Sequence, residues 1–171
     1  MRNIEDLTRP LPLELPPLRE INHRIQLIDS KRPLHNRVAR CPDHLRPEFI
    51  EKIDRYTQAG IWVEANVPYA TPLLCVEKKN GKLQTVIDAR ERNNNTIRDV
   101  TPFPDQEMIR NDLGHAKYRS KLDMSDAYEQ IRVEPCDVDN TTFNTIVGTY
   151  KSNVMQQGDC NGPATCQCLM T

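Results

Sequence analysis

Hydrophobic and polar positions change period several times along the chain, and each change predicts an element. Residues 1–20 hold Pro10, Pro12, Pro16 and Pro17 without a sustained period, which predicts an extended leader. Alternation over 22–28 predicts a short strand, and a basic stretch follows to Arg40. From Pro47 the period becomes helical. Phe49, Ile50, Ile53 and Tyr56 fall on one face, Pro47 suits the first turn, and Gly60 can take the left-handed conformation that ends the helix. The period then drops to two, predicting strands over 73–78 and 83–88 joined at Asn80-Gly81, whose residues tolerate the positive φ of a type I′ turn. A polar loop over 90–99 leads to a second helix over 105–113, stopped by Gly114. From Tyr118 the pattern predicts a strand, a polar turn at Ser125-Asp126-Ala127, and apolar alternation to Val133. A hairpin over 142–155 turns around Gly148, and a final helix starts at Pro163 without a stop signal. The pattern is α+β, with antiparallel hairpins and a few helices.

Composition narrows the classes. The chain has 171 residues, enough for one ordinary domain or part of a larger one, and only 5% are aromatic. Twenty-three basic and 24 acidic residues give a formal net charge of −1, which argues against a polybasic tail but leaves room for lysines gathered on one face. The apolar runs are short and the first thirty residues lack an apolar signal core, so neither secretion nor a membrane span is read. An intracellular site, cytoplasm or nucleus, is expected. Six cysteines sit at 41, 75, 136, 160, 166 and 168. The C-x5-C-x-C spacing of the last three lacks the short gap and fourth ligand of a zinc knuckle, so free thiols are expected.

Three segments could carry chemistry. In a strand, Lys121, Asp123 and Ser125 share one face, and a rigid carboxylate such as Asp123 suits magnesium; it could equally cap a turn. After it, Asp126-Ala127 could turn backbone N–H groups toward phosphate, and Tyr128 could pack beneath a sugar. Lys78, Lys79 and Lys82 on the first hairpin could meet a triphosphate or a template backbone, or could simply be solvated. In Q-Q-G-D-C-N-G-P-A-T, Gly158 and Gly162 allow close backbone approach and Gln157 can bond a base or sugar; a plain strand-to-helix loop reads the same way.

The order of three stretches goes further than any of them alone. V-P-Y-A-T-P-L-L-C-V-E-K-K-N-G-K-L-Q-T-V-I-D-A-R, S-K-L-D-M-S-D-A-Y-E-Q-I-R-V and V-M-Q-Q-G-D-C-N-G-P-A-T-C-Q-C-L-M together resemble reverse transcriptases of gypsy-type LTR retrotransposons, from about Ile21 to the last residue. The resemblance implies fingers and a partial palm of a right-hand polymerase: a leader over 1–20, fingers with the start of the palm over 21–117, and a partial palm over 118–171. It implies an RNA or DNA template-primer and deoxynucleoside triphosphates as partners, and two Mg2+ ions as cofactors. By motif, Asp123 resembles the first catalytic, metal-holding aspartate. Lys78 or Lys79 resembles the fingers lysine on the triphosphate. Asp126 and Ala127 match the segment whose backbone contacts the triphosphate, and Tyr128 resembles the aromatic gate against a ribose 2′-hydroxyl. Gln157-Gly158 matches the loop that meets nucleotide and template, and Asp88 with Arg90 matches the D-x-R that supports the template.

Several positions depart from the pattern. Gln84 stands where the family has an arginine on the triphosphate, and Ala89 replaces an aromatic. Gln156-Gln157-Gly158-Asp159 replaces Pro-Phe-Gly-Leu, putting a negative charge at an apolar position, while Cys166 and Cys168 replace an aromatic and an arginine. These changes read as a site drifting away from efficient nucleotide binding. The Y-x-D-D hairpin with two further aspartates is expected beyond Thr171; Asp137 and Asp139 do not fit its place, and no thumb, RNase H or integrase region is present. The expectation is a reverse transcriptase-like fragment, inactive alone. Two other outcomes are a non-catalytic nucleic-acid-binding remnant and a decayed product with exposed apolar surface.

Overall fold

A computed structural model describes residues 12–32, 38–67, 69–79, 81–102, 104–121 and 123–170. The first eleven residues of the expected leader, Asn80 of the expected turn and Leu122 of the expected palm strand lie outside them.

Helix α1, Arg46–Gln58, follows a short 3-10 turn at Asp43–Leu45 and carries Pro47 in its first turn. Phe49 and Ile53 are buried, Tyr56 is half-buried and Ile50 faces water, so the apolar stripe is narrower than its sequence period. Gly60 follows with φ +70°, which an L side chain would resist. Strand β1, Trp62–Glu64, was not anticipated, because three residues are too few to show a period. Strands β2, Thr71–Glu77, and β3, Leu83–Ile87, form the expected antiparallel hairpin, with Leu73 opposite Ile87 and Glu77 opposite Leu83. Gly81 takes φ +78° in its turn and its N–H donates to the Lys78 carbonyl. The expected hairpin around Gly148 is β4, Phe143–Asn144, with β5, Thr149–Ser152. The sheet runs β1-β5-β4-β2-β3, with β2 and β4 parallel and the other neighbours antiparallel.

The core forms where α1 covers this sheet. Phe49 and Ile53 meet Trp62, Leu73, Phe143, Tyr150 and Val154. The Trp62 and Phe143 rings meet edge-on at 5.0 Å, an arrangement their quadrupoles favour.

Four expectations are corrected. Residues 22–28 form no ladder: His23 bridges Val133 and Leu27 bridges Thr96, one partner on each side. The alternation there still sorts side chains, burying His23 and Ile25 and exposing Arg24 and Gln26. Residues 90–99 are not a plain loop, since helix α2 spans Arg90–Asn94 and Arg92 is buried. Helix α3, Gln106–His115, begins where Asp105 caps the Glu107 N–H at 2.8 Å, but runs through Gly114. The strand expected from Tyr118 is absent among the described residues of 118–124, where no neighbouring strand takes up the backbone groups. Lys121, Asp123 and Ser125 therefore do not share a strand face. A 3-10 helix at Pro135–Thr141, also unanticipated, precedes β4. The final helix α4, Gly162–Met170, begins as expected.

Candidate functional site

Three of the sequence-predicted residues come together from distant parts of the chain. Lys78 at the end of β2, Asp126 in the turn before Ala127–Gln130, and Gln157 before α4 all line one cleft of about 180 Å³. Gln84 and Thr85 of β3, Lys52 and Tyr56 of α1, Trp62 and Glu129 complete its walls. Local geometry explains the placement. Asp126 takes φ +48°, a conformation open to aspartate, which turns the chain into the following 3-10 helix. Glu129 in that helix accepts a 2.8 Å hydrogen bond from the Tyr56 hydroxyl, tying it to α1. Burial, and then the Glu129 carboxylate, push the Tyr56 phenol far above its ordinary pKa, so it stays a donor.

The remaining predicted residues are not on the walls of this cleft. Lys79 is exposed on the hairpin. Asp88 and Arg90 make a local fork, with Nε donating to Oδ1 at 2.7 Å and Nη2 to Oδ2 at 2.6 Å. The Asp88 hydrogen bond raises the Arg90 pKa, and the guanidinium is fully exposed. Ala127 is half-buried. Tyr128 packs on α4, where a Cβ at Gly162 would lie 2.9 Å from the Tyr128 ring; only glycine lets them approach so closely. Gly158 takes φ +106° and its carbonyl accepts from Asn93 Nδ2 at 2.7 Å. Asp123 is exposed. A larger cleft of about 550 Å³, lined by Arg24, Arg98, Asp99 and Cys168 among others, holds none of the predicted residues.

Two of the departures, Gln156 and Asp159, are built into the interior. Asp159 is buried and ion-pairs with Arg92 Nη2, while its other oxygen lies 3.2 Å from His23 Nε2. Gln156 accepts from Arg92 Nη1 at 2.9 Å and donates to the Thr141 carbonyl at 3.1 Å. Thr165 of α4 meets His23 Nδ1 at 2.9 Å. Burial alone would push the Asp159 carboxyl upward, but Arg92 and His23 outweigh it and hold the carboxyl below its ordinary range. Next to this network, Asn93 holds the Gly158 carbonyl and, through Oδ1, the Cys160 N–H at 3.1 Å. Helix α2, which begins at Arg90 of the Asp88–Arg90 fork, thus braces the Gln157-Gly158 loop. Sequence reading missed Arg92 and His23, because a charge this deep shows itself only through partners far away in sequence. Asp137 and Asp139 have structural work instead: Asp137 accepts from the Ile25 N–H at 3.0 Å and Asp139 pairs with Lys151 at 3.0 Å.

A family model described as reverse transcriptase (RNA-dependent DNA polymerase) matches residues 76–171, more than half of the chain. The chain belongs to the reverse transcriptase family. The Pol polyprotein of transposon opus from Drosophila melanogaster is 33% identical over 144 residues, covering 81% of this chain and 14% of that protein. The Pol polyprotein of transposon gypsy from the same organism is 33% identical over 106 residues, covering 58% and 10%. A foamy viral protease-reverse transcriptase solved in complex with double-stranded DNA superposes with a TM-score of 0.71 at 21% identity, over 90% of this chain and 30% of that one. The fold is therefore that of the fingers and part of the palm of a reverse transcriptase. The chain corresponds to the reverse transcriptase segment of a retrotransposon Pol polyprotein and spans a small share of those relatives' length.

The family's divalent ions need several hard ligands. Among the described residues no group of three or more His, Cys, Asp or Glu side chains gathers where an ion could sit, and Asp123 stands in water. These residues by themselves do not fit a two-ion site. No helix among the described residues is long and apolar enough to cross a membrane.

Proposed function

We propose that this chain supplies the nucleotide- and template-gripping part of a reverse transcriptase. The observation that carries the reading is the cleft that joins Lys78, Asp126 and Gln157 across some eighty residues of sequence. In this reading a deoxynucleoside triphosphate enters with its phosphates toward Lys78 and the backbone of Asp126 and Ala127. Lys79 adds long-range attraction. Tyr128, fixed against Gly162, limits the space beneath the sugar and disfavours a 2′-hydroxyl. Gln157 and Gly158 meet the base and the template, and the Asp88–Arg90 fork supports the template from the far side of the loop that α2 braces. The foamy viral relative was solved on double-stranded DNA, which supports a template-primer duplex of DNA or RNA as the partner.

Asp123 is the family's first metal-holding aspartate by position, and Mg2+ is the ion its hard carboxylate suits. One exposed carboxylate does not hold two ions, so the 171-residue chain on its own extends no primer. An intracellular setting fits the reading, because the template and triphosphates are found there.

Trp62 is the single tryptophan and lines the cleft, so its fluorescence reports directly on occupancy. Titration with dTTP should change that signal saturably, and Lys78→Met should weaken the response. A Trp62 signal indifferent to millimolar dTTP would overturn the reading. Primer extension by the isolated chain would overturn the predicted inactivity.

A further inference from the structure

Lys52 stands on α1 with its side chain reaching across to β3, where Nζ donates to Thr85 Oγ1 at 2.9 Å. The ammonium also lies 4.8 Å from the centre of the Tyr56 ring and 5.8 Å from that of Trp62. It is half-buried and lines the same cleft as Lys78 and Gln84. An ammonium has three N–H donors, and Thr85 takes one. No carboxylate among the described residues forms an ion pair with it. Glu129, an acidic residue of the same cleft, spends an oxygen on the Tyr56 hydroxyl instead.

A half-buried cation with no carboxylate in contact, only the more distant fields of Glu129 and Asp126, is costly unless something anionic arrives to meet it. Gln84, beside Thr85 on β3, carries no charge. The cleft therefore has its cations at Lys78 and Lys52, one on the hairpin and one on the helix that faces it. We propose that Lys52 is a phosphate ligand of this cleft, supplying from α1 the second positive charge that β3 lacks at Gln84. The proposal rests on the nucleotide reading above and adds to it a contact from a different element. Desolvation lowers the Lys52 pKa despite Glu129 and Asp126, with Lys78 and Arg55 acting in the same direction as burial. An arriving phosphate would reverse that shift.

The test uses the whole 171-residue chain, with Trp62 fluorescence and thermal unfolding as readouts and dTTP and inorganic tripolyphosphate as probes. Lys52→Met should bind both probes at least about tenfold more weakly, the range for one charge-assisted contact. Its melting temperature should match or exceed that of the wild type, because an unpaired charge leaves the interior. Adding Gln84→Arg to Lys52→Met should bring affinity back to within a few-fold, which a purely structural lysine would not allow. Lys52→Arg, which keeps charge and reach, serves as the second variant if the methionine form fails to fold, and should retain binding. Wild-type binding left intact by Lys52→Met would overturn this inference while leaving the nucleotide reading in place. Absence of binding by the wild type to either probe would overturn both.

Discussion

Two regions of this chain that share one proposed active site are built in opposite ways. The cleft walls come mainly from α1, the β2–β3 hairpin and the loop before α4, packed on the Phe49–Phe143 core or on the Arg92–Asp159–His23 network, with Asp126 and Glu129 added to them. Residues 97–125 include α3 and Asp123, and no described residue among them is buried. Met108, Ile109 and Leu113 of α3 all face water. A ten-residue helix without packing is marginal in water, whatever its cap. The contrast teaches that the proposed binding surface can be held by local packing, whereas the metal-holding role proposed for Asp123 needs a scaffold these residues do not give it.

The largest effects should come from the packed region. Phe143→Ala removes a fully buried ring at the centre of the sheet and should cost about 3–5 kcal/mol in denaturant unfolding. Leu113→Ala on α3 should cost no more than about 0.5 kcal/mol. Equal costs would erase the distinction between the regions.

The buried network offers a second way to break it. Arg92→Met strands Asp159 without its main partner and should destabilise by about 3–5 kcal/mol, while Arg92→Met with Asp159→Leu should recover most of the loss. A double variant as unstable as the single would mean that the pair is not the unit of stabilisation. The pH dependence has a definite sign. The Asp159 carboxyl lies below its unfolded value of about 3.9, so its contribution is present above that pH and fades as pH falls through the lower folded value. Acid unfolding of Asp159→Asn should lack that contribution, and its curve should be flatter below about pH 4.

Lys52 gives a smaller and opposite effect. Its folded-state pKa lies below the unfolded value of about 10.4, so the unfolded chain binds more protons between the two. The cost of burying its charge is therefore fully present at neutral pH and disappears as pH rises through that window. Any stability gained by Lys52→Met at pH 7 should shrink as pH rises toward about 10 and be gone above it. A gain that does not change with pH would point to packing rather than charge.

What was legible in the sequence follows the same division. Helix α1 and the β2–β3 hairpin could be read because their periods and turn residues, Pro47, Gly60 and Gly81, are local properties. The family was legible in the order of three motifs. Helix α2 was not, because Arg-Glu-Arg-Asn-Asn looks like a solvated loop until Arg92 is seen against Asp159, 67 residues on. The strand expected at Tyr118 failed for the complementary reason: alternation proposes a strand, but only a neighbouring strand makes one. Lys52 was invisible because a lysine on an amphipathic helix reads as solvent-facing.

Hydrogen exchange on the intact chain, followed by mass spectrometry, tests the division directly. The amides of β5 and of residues 153–162 should be protected by at least about a thousandfold, as expected for segments that open only with the whole fold. Those of residues 98–121 and 123–125 should exchange within about tenfold of unstructured rates. Comparable protection in both regions would contradict the account, because it would show the Asp123 segment held as firmly as the cleft.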